Sequence, residues 1–123
     1  MTTKLILPMA PTVNHYWARA TNGAVFLTTE AKNYKRTVAL LVKQQKPKCY
    51  TNGERLVVKI TLHFGTRAKN DIDNRLKGLL DALTKAGVYG DDSQIDKLIV
   101  ERGHIIKGGK VFIEIDEIKV FEI

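Results

Sequence analysis

The chain has 123 residues, enough for one domain with a modest core, and that domain is expected to span residues 1–123. A hydrophobic fraction of 44% with 27% charged residues is that of an ordinary globular protein, which argues against a disordered or collagen-like chain. Twenty Lys and Arg against thirteen Asp and Glu give a net charge of +7, so a polyanion such as nucleic acid is the expected kind of partner.

No stretch approaches the run of about 18 apolar residues that a membrane helix needs. Leu5-Ile6-Leu7 is cut short by Pro8, so no signal peptide is expected. The single cysteine, Cys49, cannot form an internal disulfide, which fits a cytoplasmic protein.

Lys4 to Leu7 reads as a first strand, ended by Pro8 and Pro11. The loop that follows gathers Asn14, His15, Tyr16 and Trp17, with Arg19 just beyond. Aromatics that stack and amides that hydrogen-bond suit a nucleic-acid face, although large aromatics also pack in cores. Asn22-Gly23 is a hairpin turn signal, and Val25-Phe26-Leu27 is the strand after it. Thr28 or Thr29 caps a helix running to about Gln45, with Ala31, Tyr34, Val38, Leu41 and Val42 as its buried stripe. Lys32, Lys35, Arg36 and Lys43 lie largely off that stripe, on a solvated face.

Lys46 to Gly53 is a polar connection. Leu56, Val58, Ile60, Leu62 and Phe64 then alternate with Arg55, Val57, Lys59, Thr61 and His63, the clearest strand in the chain. His63 falls on its polar face and is expected to be exposed. The strand leads into Arg67, Lys69 and the acidic pair Asp71-Ile72-Asp73.

In an extended segment residues i and i+2 point the same way, roughly 7 Å apart, so two carboxylates there repel unless they share a cation. Asp73 is also an N-cap candidate for the next helix, which runs from about Asn74 to Ala86. Leu76, Leu79, Leu80, Leu83 and Ala86 form its apolar stripe, and Gly87 ends it. Lys77 stands four residues after Asp73, which fits an ion pair with it or a cation that meets a phosphate. Asp91 and Asp92 follow the helix as caps or turn residues, or as further metal ligands. The helix is roughly 20 Å long, so Asp92 rejoins Asp71 and Asp73 only if the chain doubles back.

After Asp92, Leu98 to Ile105 and Lys110 to Ile118 read as two strands joined in a hairpin at Lys107-Gly108-Gly109. The apolar residues of Lys119 to Ile123 extend the last strand or form a dimer contact. The order strand, strand, helix, strand, helix, strand, strand makes an α+β domain, with a mixed β-sheet of four to five strands and two main helices on one face.

Asp71-x-Asp73-Asn74-x-x-Lys77 followed by Leu80-Asp81-Ala82-Leu83-Thr84-Lys85-Ala86-Gly87-Val88-Tyr89-x-Asp91-Asp92 resembles the signature of the RusA family of Holliday junction resolvases. Leu7-Pro8, Pro11-Thr12-x-Asn14-x-Tyr16-Trp17 and the Lys107-Gly108-Gly109 turn are similar to other parts of that family. The resemblance implies a Mg²⁺ site (Mn²⁺ being the other candidate ion) on Asp71, Asp73 and Asp92, with Lys77 as an essential lysine. It implies a homodimer that nicks opposed strands of a four-way DNA junction in recombination and repair. Asn14, Tyr16, Trp17, Arg19, Arg67 and Lys69 are the expected DNA contacts. There are two departures from the family pattern: Ala10 replaces the first Pro of a pair, and the segment before Asp71 is poorer in Arg.

Hard carboxylate oxygens suit Mg²⁺, and hydrolysis by metal-bound water needs no Ser-His-Asp or Cys-His arrangement. Two rivals remain. A non-catalytic nucleic-acid-binding domain would use the same acids only as caps and turns. A different DxD enzyme fits poorly: 123 residues leave no room for a sugar-nucleotide transferase, and Arg75 replaces the Thr of a DxDxT phosphatase.

Overall fold

The computed structural model describes residues 2–119. The elements in chain order are β1 (Thr3–Leu7), β2 (Trp17–Arg19), β3 (Val25–Leu27), α1 (Thr29–Gln45), β4 (Leu56–His63), α2 (Leu76–Lys85), β5 (Ile95–Arg102) and β6 (Lys110–Glu117). Short 3₁₀ turns lie at Val13–His15, Ile72–Arg75 and Asp92–Gln94. β1, β6, β4 and β5 form one sheet in that order, while β2 and β3 form a separate two-stranded ribbon. The expected α+β class with a mixed sheet is the one observed.

Alternation along the strands sends one face of the sheet to the core. Leu5, Leu7, Val58, Ile60, Leu62, Val111, Ile113 and Ile115 are all buried and pack in one cluster with Tyr34, Val38 and Val42 of α1 and Leu79, Ala82 and Leu83 of α2. Both helices therefore cover the same face, and the domain has two layers. Thr28 caps α1 by accepting from the Ala31 N–H, as its position before the apolar stripe predicts. Gly87 ends α2 with φ +79°, in the left-handed region that favours glycine.

Three expectations fail, each through a contact distant in sequence. β5 and β6 do not form a hairpin: β5 runs parallel to β4, and β6 pairs antiparallel with both β1 and β4. The segment from β4 through α2 to β5 is a βαβ crossover, which requires parallel strands and leaves the other edge of β4 to β6. His63 is buried, because the chain after β5 folds over it. Its Nδ1 lies 2.8 Å from the His104 carbonyl oxygen and its ring packs on His104 and Phe112. Gly103 permits this closeness, since a Cβ there would sit 2.3 Å from the imidazole.

The third failure concerns the polar connection after α1, which hides a core residue. Tyr50 is fully buried, pairs with Tyr89 through a parallel bridge, and shares a 3.1 Å hydrogen bond with the Thr3 hydroxyl. A single aromatic inside a polar run gives no periodic signal. The expectation for the carboxyl-terminal tail falls largely on residues 120–123, outside the described residues.

Candidate active site

β4 ends at the rim of the sheet, and Gly65 to Asn70 carry the chain across to the 3₁₀ turn that precedes α2. Asp71 is the N-cap of that turn, in extended backbone with no capping bond from its side chain. Asp73 sits inside the turn rather than capping α2, whose own N-cap position is Arg75. Both carboxylates are exposed and, among the described residues, neither has a hydrogen-bond or ion-pair partner.

The loop that presents them is held through Asn70. Arg75 donates from Nη2 to Asn70 Oδ1 at 3.1 Å and from Nη1 to the Ala10 carbonyl at 2.8 Å. Arg102, at the end of β5, donates to the Asn70 carbonyl. Both guanidiniums stack against Phe64, with Arg75 Cζ 5.9 Å and Arg102 Cζ 4.9 Å from the ring centroid. Burial draws the Arg75 guanidinium below its usual pKa, opposed by the charge of Glu30, and its Nε is buried without a hydrogen-bond partner among the described residues.

Lys77 is half-exposed and pairs with Asp81 rather than with Asp73. Its Nζ lies 3.5 Å from Asp81 Oδ2, so the i,i+4 partner is the residue one turn on, not one turn back. Asp81 also accepts from the Tyr16 hydroxyl at 2.7 Å. Tyr16 is fully buried against Gly78, so it is a core residue and not a DNA-facing one. Burial, with the Asp81 bond adding to it, raises the Tyr16 pKa far above the usual phenol value. Asn14, Trp17 and Arg19 are exposed as expected, and Trp17 lies edge-on to Tyr16 with centroids 5.2 Å apart. Arg67 and Lys69 are exposed on the loop before Asp71.

Asp91 and Asp92 follow the far end of α2. Asp91 accepts from the Ser93 N–H, and Gln94 reaches back to the Asp91 N–H, completing a capping box. Hydrogen bonding from Ser93 holds the Asp91 carboxyl below the usual carboxylate range. Gln94 is buried and makes four bonds, to the Gly90 and Asp91 N–H groups and to the Tyr50 and Glu54 carbonyls. Asp92 is exposed and, like Asp71 and Asp73, has no side-chain partner among the described residues.

The chain does not double back to bring these acids together. Asn70 is bonded to Arg102, the last residue of β5, whereas Asp92 lies just before the first, Ile95. Eight strand residues separate the two places by on the order of 20 Å. Among the described residues, no group of three or more His, Cys, Asp or Glu is placed to hold a metal ion. One copy of the chain thus presents the acidic pair at one end of β5 and Asp92 at the other.

The family model for the endodeoxyribonuclease RusA matches residues 7–116. The chain belongs to the RusA family. A crossover junction endodeoxyribonuclease of Enterobacteria phage HK97 is 34% identical over 116 residues, which cover 94% of this chain and 95% of that protein. The crossover junction endodeoxyribonucleases RusA of Escherichia coli K12 and of Enterobacteria phage 82 are each 33% identical over 118 residues, with the same coverage of both chains. The RusA match takes in both helices, the acidic motif and all but the last residue of β6, so it covers the scaffold and the site alike.

Sequence reasoning missed four residues around this site: Asn70, Arg75, Asp81 and Arg102. Asp81 was within reach, since Lys77 and Asp81 are also four apart. Gln94 was within reach too, because Asp91-x-x-Gln94 is a capping-box spacing. The clamp of Arg75 and Arg102 on Asn70 joins the turn before α2 to the end of β5, and no local pattern announces it.

Proposed function

We propose that this RusA-family chain is a crossover junction endodeoxyribonuclease that acts as a cytoplasmic homodimer, with Mg²⁺ or Mn²⁺, to nick opposed strands of a four-way DNA junction in recombination and repair. The observation that carries the reading is the fate of the acids from the end of β4 through the start of β5. Asp81 is bound by Tyr16 and Lys77, Asp91 caps a turn, and Asp96 pairs with Arg55. Asp71, Asp73 and Asp92, the three acids of the family motif, are those left exposed and without partners among the described residues. Nothing in the packing explains them, and three carboxylates are the donor set a hard divalent cation takes.

A bound divalent ion would lower the pKa of a water and offset charge on the scissile phosphate. In the hydrolysis a water oxygen adds to phosphorus and one bridging P–O bond breaks, leaving ligatable ends. The chain's own residues supply the rest. Asp71 and Asp73 form one half of the ligand set, fixed by the Arg75 and Arg102 clamp on Asn70. Because Asp92 lies at the other end of β5, the set is complete when a second copy contributes its Asp92. Lys77, tethered lightly to Asp81, is close enough in sequence and helix face to swing toward a phosphate, since an exposed ion pair contributes at most about 1 kcal/mol. Trp17, Asn14, Arg19, Arg67 and Lys69 offer exposed stacking and phosphate contacts.

The test is cleavage of a labelled synthetic four-way junction beside duplex and single strand of the same sequence, with Mg²⁺ and with chelator. Paired nicks in the junction alone, absent with chelator, are expected. Tight junction binding with no cleavage under either ion would replace this reading with a non-catalytic DNA-binding domain.

A further inference from the structure

α1 turns its buried stripe to the sheet and leaves a second stripe outside. Lys32, Lys35, Arg36, Ala39, Leu40 and Lys43 recur at i, i+3, i+4, i+7, i+8 and i+11, which is one face of the helix. Two hollows of about 450 Å³ each open along this face. Leu27 of β3 and Lys85 of α2 wall the first beside Lys32 and Lys35, and Leu40 and Lys43 wall the second. Arg36 and Ala39 line both, so the two run together as one groove. Its lining has five cations, three apolar residues and no acid.

Among the described residues none of these five cations is in an ion pair. Lys35 lies over the Tyr16 ring, 5.8 Å from its centroid, and Arg36 bonds to Asn33 of its own helix. Lys32 stands three and four residues before Lys35 and Arg36, and like charges at those spacings oppose a helix. The charge cluster is therefore one that the packing of the chain does not use. Leu40 is 63% exposed, the most of any large apolar side chain among the described residues. A leucine exposed by itself needs no explanation. One flanked by unpaired cations defines the chemistry that fits beside it. A phosphodiester backbone answers the cations but offers nothing to Leu27, Ala39 and Leu40. A polypeptide segment with both carboxylates and apolar side chains answers both.

We propose that this groove docks a short acidic segment of a partner protein that also carries apolar side chains. Its carboxylates meet Lys32, Lys35, Arg36 and Lys85 at one end and Lys43 at the other, and an apolar side chain covers Leu40 between them. From Lys32 to Lys43 the helix rises about 16 Å, which an extended segment of about five residues spans. The groove shares no residue with the acids or the DNA contacts named above, so its filling does not depend on nuclease activity.

The test is fluorescence anisotropy of the full chain with a labelled peptide of about eight residues in which aspartate and leucine alternate. Two control peptides carry asparagine for every aspartate or serine for every leucine. Each control is expected to bind at least about tenfold more weakly. Leu40→Gln, and Lys35→Gln with Arg36→Gln, should each weaken the parent peptide about tenfold, and glutamine keeps the helix propensity of α1. Short duplex DNA should not displace the bound peptide, and Leu40→Gln should bind a four-way junction as the wild type does. Equal binding of the serine peptide would reduce the groove to unspecific charge attraction and overturn the proposal. Displacement by duplex, with Leu40→Gln neutral toward the peptide, would make the groove a track for DNA phosphates and overturn it as well. Failure of the parent peptide to bind at all would leave the groove without the assigned partner chemistry.

Discussion

At the amino end of α2, Asp71 and Asp73 stand on a short turn with both carboxylates unpaired among the described residues; at its carboxyl end, Asp91 is caught by the Ser93 N–H and only Asp92 beside it is left free. The supports differ as well. The amino end is fixed from outside by two arginines that grip Asn70, and the carboxyl end is fixed from beneath by buried Gln94, Tyr50 and Tyr89. One end is a rigid presentation of charge, and the other is a packed corner that happens to leave one acid exposed. The difference teaches that an acidic residue's role here is set by whether the backbone around it needs an acceptor.

The largest effect expected from breaking this comparison is on catalysis at the amino end. Asp73→Asn should cut junction cleavage about 100-fold or more while leaving the unfolding midpoint in urea unchanged, because its carboxylate holds nothing in the fold. A drop in stability matching the loss of activity would show that Asp73 is structural after all.

Next in size is the packed corner. Gln94→Leu removes four hydrogen bonds and leaves the Asp91 N–H and the Glu54 carbonyl without a protein partner, while the Gly90 N–H and the Tyr50 carbonyl keep each other; it should cost about 2–3 kcal/mol in denaturant unfolding. Cleavage should fall with it, because the turn carrying Asp92 loses its anchor. Full stability in this variant would mean the capping box is incidental.

Smaller still is the clamp. Arg75→Leu should lower the cleavage rate roughly tenfold with little change in junction affinity, since it acts through the placement of Asp71 and Asp73. Arg75→Lys should not rescue it, because a single ammonium cannot span the Ala10 carbonyl and Asn70 Oδ1 as a guanidinium fork does. An equal loss of affinity would make Arg75 a DNA contact.

The smallest effect is at Asp91, where the sign of the pH dependence is fixed. Its folded pKa is lowered by Ser93, so the cap stabilises above the ordinary carboxylate pKa and that contribution is lost as pH falls below about 4. Asp91→Asn should flatten this acid limb of a thermal melt slightly and leave pH 7 cleavage intact.

Much of this arrangement could be read from the chain. The alternation from Leu56 to Leu62, the leucine stripe of α2, the Thr28 cap and the Asn22-Gly23 turn are local signals, and local structure followed them. The acidic motif was legible because the spacing from Asp71 to Asp92 matches a family pattern. What did not show was long-range. The β5–β6 hairpin failed because two adjacent strands with a glycine turn look alike whether they pair with each other or with β4. His63 and Tyr50 were misjudged because their burial depends on the chain after β5 and on Tyr89, far off in sequence. The separation of Asp92 from Asp71 was implied by the length of the helix between them. Only the β4–β5 register shows that no loop closes the gap.

The most direct test of the central claim, that one site is assembled from two copies, is complementation. Asp73→Asn and Asp92→Asn chains are each expected to be inactive alone. In a mixed dimer the Asp92→Asn chain supplies Asp71 and Asp73, and the Asp73→Asn chain supplies Asp92, so one of the two sites is whole. Co-refolded mixtures should nick one strand of a four-way junction without resolving it. If the mixtures remain as inactive as either variant alone while forming dimers, each site is built within a single chain and the account is contradicted.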